Sequence, residues 1–186
     1  MVGSLVSLIV GALWAMVPAY VPNNAAVVAG GGRPIDGGRT LGETRLLGDG
    51  KTWRGTAVGT AVGVALAVGL NALNPVVSRL LGVSAGTLPT FPLAAAVALA
   101  VGAMAGDVAA SFLKRRSGRE RGAAFPLLDQ LDFVAGALGL AALAAPTWFG
   151  STFTPARLVV VVVATPLLHV GTNVVAYGIG VKDEPW

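Results

Sequence analysis

Long apolar runs without a charged residue constrain this chain more than any other feature. Residues 1–32 contain no Asp, Glu, Lys or Arg. A helix that crosses the hydrocarbon core of a bilayer needs about 20 apolar residues. The sequence therefore predicts an all-α integral membrane protein, one transmembrane domain over residues 1–186 with about five membrane-spanning helices. The expected spans are Val2–Tyr20, Gly55–Leu73, Phe91–Leu113, Leu128–Ala145 and Arg157–Val181.

Composition excludes the other broad classes. Hydrophobic residues make up 54% of the chain and charged residues only 12%, about half the charged share of a soluble domain. Disorder requires low hydrophobicity and high net charge, which is the opposite pattern. The chain has no Cys, which excludes a disulfide framework, a thiolate metal site and a cysteine nucleophile.

The basic residues predict the orientation of the chain. Ten of the 13 Lys and Arg residues fall in the first and third loops, about residues 23–54 and 114–128. Loops rich in Lys and Arg stay in the cytoplasm. We therefore expect a multi-pass protein of the cell membrane with its N-terminus outside, its C-terminus inside and a site facing the cytoplasm. These residues are Arg33, Arg39, Arg45, Lys51, Arg54, Lys114, Arg115, Arg116, Arg119 and Arg121.

Three aspartates in apolar segments are the candidate metal ligands. Asp107 lies near the cytoplasmic end of the third predicted span, and Asp129 and Asp132 lie in the first turns of the fourth. Ionised side chains inside a membrane are costly and mark functional sites. Three converging carboxylates suit a hard cation such as Mg²⁺, bound as one or two ions. The alternative is that the aspartates form interfacial ion pairs with loop arginines.

The first loop contains a candidate phosphate-binding segment, Gly48–Gly55, which interleaves glycine with Lys51, Thr52 and Arg54. Backbone N–H groups and cations in such a segment can bind phosphate. The segment is not a P-loop, because Arg45 occupies the position that requires the first glycine. The alternative is that these cations serve only to orient the chain.

Two strings carry a family resemblance. Asp107-x-x-x-Ser111-x-x-Lys114-Arg115 followed by Asp129-x-x-Asp132 resembles the signature of CTP-dependent phosphatidate cytidylyltransferases. Within that superfamily, Pro18-Ala19-Tyr20 with Asn23, Gly32–Gly38 and Leu47–Gly55 look like the archaeal CDP-archaeol synthases. The Lys-Asp and His-Gly-Gly elements of the bacterial branch are missing, and Gln130 replaces the Arg of its D-R-x-D motif.

This resemblance implies transfer of CMP from CTP to 2,3-bis-O-geranylgeranyl-glycerol 1-phosphate, an unsaturated archaeal ether-lipid phosphate, with release of pyrophosphate. The expected partners are CTP, that lipid, the bilayer and a second copy of the chain, and not nucleic acid. By resemblance, Mg²⁺ is held by the three aspartates. The catalytic and CTP-binding residues implied beside them are Lys51, Thr52, Arg54, Ser111, Lys114 and Arg115.

Alternative functions and structural roles remain open at this stage. A bacterial-type enzyme acting on diacyl phosphatidate and a small cation or proton transporter are the competing functions. The GxxxG rows Gly55/Gly59/Gly63 and Gly102/Gly106 predict close helix packing, with a homodimer as a special case. We expect His169 to be an interior side chain without a ligand role, and Asp36 to balance nearby arginines.

Overall fold

The computed structural model describes residues 2–117 and 128–178. In chain order the elements are α1 (Val2–Tyr20), α2 (Pro22–Ala29), β1 (Thr40–Leu41), β2 (Thr44–Arg45), α3 (Trp53–Leu81), α4 (Leu93–Arg116), α5 (Leu128–Ala144), α6 (Pro146–Thr152) and α7 (Pro155–Gly178).

The all-α membrane class is confirmed. Within the described residues, four helical stretches are long and apolar enough to span a bilayer: Ser4–Ala29, Trp53–Leu81, Leu93–Arg116 and Pro155–Val175. The fourth predicted span appears as α5, with 17 described residues packed along α4. The count of five spans and their orientation stay predictions, and residues 179–181 of the last predicted span lie outside the described residues.

The first predicted loop contains more regular structure than expected. Helix α1 ends at Tyr20 as predicted, but a second helix, α2, begins at once with Pro22 in its first position. Proline is favoured there because the first N–H of a helix has no intrahelical partner. Further along, β1 and β2 pair as a short antiparallel hairpin. The predicted loop is therefore a helix and a hairpin joined by turns.

Helix α3 runs eight residues beyond its predicted end at Leu73, through Pro75 to Leu81. Proline is tolerated in membrane helices, where neighbouring groups satisfy the freed backbone positions. Asn71 stabilises this end, since its amide donates to the Phe91 carbonyl at 2.9 Å and accepts from the Phe91 N–H at 2.7 Å. Both contacts fix the loop before α4.

Helix α4 also extends past its predicted end, from Leu113 to Arg116, so the first residues of the predicted third loop are helical. Basic side chains in the last turn interact favourably with the negative end of the helix dipole.

Small residues set the packing of α4 against α5. A Cβ added at Gly102 would lie 2.7 Å from the Ala137 Cα, and one at Gly106 would lie 3.0 Å from the Phe133 Cα. Small residues let membrane helices approach this closely. The GxxxG row of α3 packs similarly against α2, since a Cβ at Gly59 would lie 2.6 Å from the Pro22 carbonyl oxygen. Both GxxxG rows thus serve close packing within one chain, and a homodimer stays a prediction.

Candidate functional site

A cavity of about 410 Å³ lies where α1, α2, α4, α5 and α7 meet. Both faces of the cavity carry polar side chains, although the surrounding helices are apolar. The described residues that line it are Tyr20, Asn23, Asn24, Asp107, Asp129, Asp132, Phe133, Thr165, Leu168, His169, Thr172 and Asn173.

The close approach of α4 and α5 brings the three predicted aspartates to this one cavity. The Cβ position of Gly106 meets the backbone carbonyl of Asp132, so the next residue of α4, Asp107, lies beside the first turns of α5. Asp129 and Asp132 are three residues apart and share a face of α5. The sequence prediction that the three carboxylates lie together agrees with this arrangement.

Two lysines from different elements pair with these aspartates. Lys51, just before α3, places its Nζ 2.5 Å from Asp107 Oδ2. Lys114, in the last turn of α4, forms an ion pair with Asp129. All four side chains are only 22–30% exposed, so the pairs stand in a partly desolvated environment where Coulomb attraction is stronger than in water. Residues that the sequence assigned to metal and to phosphate therefore neutralise each other here.

The donor set fits a hard divalent cation in chemistry but not yet in spacing. Three carboxylates on one cavity wall are the ligands that Mg²⁺ prefers. Within residues 2–117 and 128–178, however, no group of three or more His, Cys, Asp or Glu side chains is close enough to hold a metal ion. Binding an ion would require the lysines to leave the carboxylates and the side chains to draw together.

A second cavity of about 100 Å³ adjoins the first and shares Asn23 and Asp107 with it. Its other wall is the turn Gly50-Lys51-Thr52 and the start of α3. The side-chain oxygen of Asn23 is buried without a hydrogen-bond partner, a costly arrangement for a polar atom. The amide of Asn23 thus stands at the junction of the two spaces.

Asp36 pairs with Arg45 as the sequence analysis expects, and it also organises the first loop. Its carboxylate accepts from Arg45 through Nε at 3.2 Å and Nη2 at 2.8 Å, and from the backbone N–H groups of Gly38, Leu47 and Gly48. The Arg45 guanidinium, with these N–H groups, holds the pKa of Asp36 well below its usual range. Asp36 therefore fixes the turn that leads into Lys51. The run Asp36-Gly37-Gly38 signals a turn but does not reveal this bonding.

Arg116 ties the same loop to α4. Its guanidinium donates to the carbonyls of Leu41, Thr44 and Arg45 and to the Thr44 hydroxyl, at 2.7–3.3 Å. The hairpin is therefore fastened to the helix that carries Asp107. Because its guanidinium is hydrogen-bonded to the hairpin, Arg116 positions the first loop.

Of the remaining predicted residues, Thr52 borders the smaller cavity, and Arg54, Ser111 and Arg115 line neither cavity. Thr52 caps α3, because its hydroxyl oxygen accepts the Gly55 N–H at 3.0 Å, and it borders the smaller cavity. The guanidinium of Arg115 lies near Gly48, where an added Cβ would be 3.3 Å from Nη2. Arg54 is exposed beside Gly32. Among the described residues that line the two cavities, neither Arg54, Ser111 nor Arg115 appears.

Helix α7 supplies the wall that sequence reasoning missed. Thr165, His169, Thr172 and Asn173 all line the larger cavity, so His169 borders the candidate site, and the expectation that it has no ligand role stays a prediction. The spacing i, i+4, i+7, i+8 puts them on one face of a helix. Their shared helix face in an apolar span is the sequence signal that indicates this wall.

Ionisable groups held among apolar helices mark a functional site inside a membrane protein. A solved structure described as an intramembrane enzyme for archaeal membrane lipid biosynthesis matches with a TM-score of 0.70 and 43% identity, covering 89% of this chain and 94% of the other. The site and this match together define the chain as a membrane enzyme.

The chain belongs to the CDP-archaeol synthase family, whose model, described as CarS-like, matches residues 5–186. CDP-archaeol synthase of Halobacterium salinarum is 69% identical over 98% of this chain and 99% of its own length. The enzyme of the same name from Halorubrum lacusprofundi is 65% identical over the full length of both chains. That of Methanococcoides burtonii is 49% identical, over 92% of this chain and 100% of its own.

Proposed function

We propose that this membrane enzyme transfers CMP from CTP to the phosphate of 2,3-bis-O-geranylgeranyl-glycerol 1-phosphate and releases pyrophosphate. The observation that carries the proposal is the pairing of Lys51 with Asp107 and of Lys114 with Asp129 on one cavity wall beside Asp132. Such a site combines three carboxylates that can bind a cation with two lysines that can bind phosphate. A nucleotide triphosphate with its metal ion needs both.

Charge balance suggests how the site accepts its nucleotide. In the structure each lysine neutralises a carboxylate. Asp107, Asp129 and Asp132 would hold Mg²⁺, which when bound supplies charge neutralisation to the phosphates. The ammonium groups of Lys51 and Lys114 would then leave the carboxylates and bind phosphate oxygens instead. The ammonium–phosphate contact is a charge-assisted hydrogen bond of similar strength to the ammonium–carboxylate contact. Lysine–carboxylate ion pairs are thus replaced by lysine–phosphate and metal–carboxylate pairs, so few charges are left unpaired at any stage.

The reaction itself demands positioning more than proton transfer. The lipid phosphate is already ionised, so its oxygen attacks the α-phosphorus of CTP without a general base. The bond between that phosphorus and the bridging oxygen to the β-phosphate breaks, and pyrophosphate leaves with the electron pair. Lys51 and Lys114 stabilise the charge that develops on the leaving group, as in other phosphoryl transfers.

The position of the site accounts for the meeting of two unlike substrates. The first loop, fixed by Asp36 and Arg116, carries Lys51 to the cavity edge. We propose that this edge faces the cytoplasm across the cell membrane, because the loop is rich in Lys and Arg. CTP then enters from the water, and the lipid from the bilayer.

Substitution of the aspartates tests the site. Asp107→Asn, Asp129→Asn and Asp132→Asn each remove a charged ligand while nearly preserving volume, so CMP transfer should fall at least about a hundredfold with the melting temperature little changed. Glu43→Gln is the matched control, since Glu43 is exposed in the turn of the hairpin and lines neither cavity. Near-normal activity in two of the three site variants would contradict the assignment.

Labelled CTP tests the reaction. Purified protein receives CTP labelled in the α- or the γ-phosphate, with the geranylgeranyl ether lipid phosphate or a diacyl phosphatidate as acceptor. We expect α-label in the ether lipid, γ-label only in pyrophosphate, and loss of transfer on chelation of divalent metal. Transfer of γ-label to lipid would indicate a kinase, and a preference for phosphatidate would indicate the bacterial-type reaction.

A further inference from the structure

We infer that the α7 wall, formed by Thr165, His169, Thr172 and Asn173, binds the headgroup of the lipid acceptor, a phosphomonoester on glycerol. This inference rests on the proposed function and assigns one of its two substrates to a place in the cavity.

The α7 wall is a continuous polar surface on one face of an otherwise apolar helix. Thr165 is 2% exposed, and its hydroxyl bonds the Tyr20 hydroxyl at 2.9 Å and the Val161 carbonyl at 2.7 Å. His169 lies one turn further, and Asn173, 9% exposed, one turn beyond that. The stripe spans about 12 Å along the helix. Polar side chains in membrane helices hydrogen-bond to neighbouring helices or line a substrate path, and these four line a cavity.

Charge divides the cavity into two unlike sides. Asp107 on α4 and Asp129 on α5 pair with Lys51 and Lys114, whereas the described α7 residues that line the cavity include no Asp, Glu, Lys or Arg. A triphosphate carries the larger negative charge and, with its metal ion, belongs on the side of these ion pairs. The α7 wall offers hydroxyl, amide and imidazole groups, which suit a single phosphate and the oxygens of glycerol.

The cavity also reaches the lipid-facing surface of α7. Leu168 lines the cavity and is itself 44% exposed, and its neighbours Leu167 and Val170 are 69% and 48% exposed. Helix α7 packs mainly along α1 and only lightly against α5. An acceptor can therefore place its headgroup against the α7 wall while its isoprenoid chains remain among the membrane lipids beside Leu167.

Steady-state kinetics on the full-length protein in nanodiscs test the assignment, with the two substrates varied separately. For His169→Leu and Asn173→Leu we expect the KM for the ether lipid phosphate to rise about tenfold or more, as loss of a hydrogen bond to a charged group predicts. The KM for CTP and the direct binding of labelled CTP should change less than about twofold. His169→Gln keeps a donor and should recover part of the loss.

Val170→Leu, on the lipid-facing side, is the matched control and should behave as the unsubstituted protein. A rise in the KM for CTP with the lipid KM unchanged would overturn the inference and give the wall to the nucleotide. Unchanged constants in folded His169→Leu and His169→Gln would overturn it as well. Absence of any CMP transfer by the unsubstituted protein is a separate result, which would refute the proposed function and the lipid subsite with it.

Discussion

Replacement of Gly106 by Ala tests whether close packing of α4 on α5 sets the geometry of the site. The new Cβ would lie 2.9 Å from the carbonyl carbon of Asp132 and 3.0 Å from the Cα of Phe133, and closer still to the Asp132 oxygen. Ordinary contact begins near 3.4 Å, so the two helices must part by on the order of 0.5–1 Å. Asp107 and Asp132 move apart with them.

Two effects follow from this displacement. Overpacking typically costs about 1–3 kcal/mol, against a gain of roughly 1 kcal/mol from replacing glycine within a helix, so the net loss of stability is small. A misplacement of about 1 Å between catalytic groups can lower a rate a hundredfold. We therefore expect CMP transfer to fall about tenfold to a hundredfold while the melting temperature, followed by tryptophan fluorescence in detergent, drops by only a few degrees.

Gly139→Ala is the matched control on the same helix pair. Gly139 lies in α5, and no atom from another element of the described residues approaches within 4 Å of its Cβ position, so this variant should match or slightly exceed the parent in stability and retain full activity. Equal activity of Gly106→Ala and Gly139→Ala would refute the reasoning, because it would show that the helices yield without disturbing the carboxylates.

The first loop and the membrane orientation yield the remaining predictions. Asp36→Asn removes the charge that gathers Arg45 and three N–H groups, so amide exchange at Leu47 should accelerate by tenfold or more, measured by hydrogen–deuterium exchange. In the parent, the contribution of Asp36 is fully present above the ordinary aspartate pKa of about 3.9 and is lost only as pH falls through the lowered folded pKa. Protection of Leu47 should therefore persist below pH 4, and its loss at pH 5 would contradict the assignment. Glu43→Cys and Ser84→Cys should react with impermeant thiol reagents from opposite sides of the membrane, Glu43→Cys from the cytoplasm, and labelling from one side would disprove the predicted orientation.

Bilayer thickness explains why the sequence reveals the helices so well. An apolar run long enough to cross the membrane has almost no other stable conformation there, so α1 begins and ends at the predicted residues. The ends of α3 and α4 were harder to predict, because contacts and charge decide them. Asn71 holds the extension of α3 through Phe91, which lies 20 residues away and cannot be paired with it from the sequence.

Within the candidate site, too, some features can be predicted from the sequence and others depend on contacts between distant residues. Asp107, Asp129 and Asp132 could be singled out because charge is conspicuous in an apolar segment. Their pairing with lysines could not be foreseen, since Lys51 and Asp107 are separated by 56 residues and meet only after α3 folds back onto α4. The sequence predicts no ligand role for His169, because no second metal ligand lies at the required spacing. Its neighbours on the same helix face are hydrogen-bonding residues, and only the structure shows that they line the cavity together.

The lysine–aspartate pairs bear on how the polypeptide is made as well as on what it does. Asp107 lies about 14 Å before the end of α4, and an unpaired charge opposes insertion by about 2.5–3.5 kcal/mol at the bilayer centre and by less nearer its edge. Pairing with Lys51 offsets part of that cost before any nucleotide is bound. We therefore expect a chain that lacks Lys51 to reach the membrane in smaller amounts.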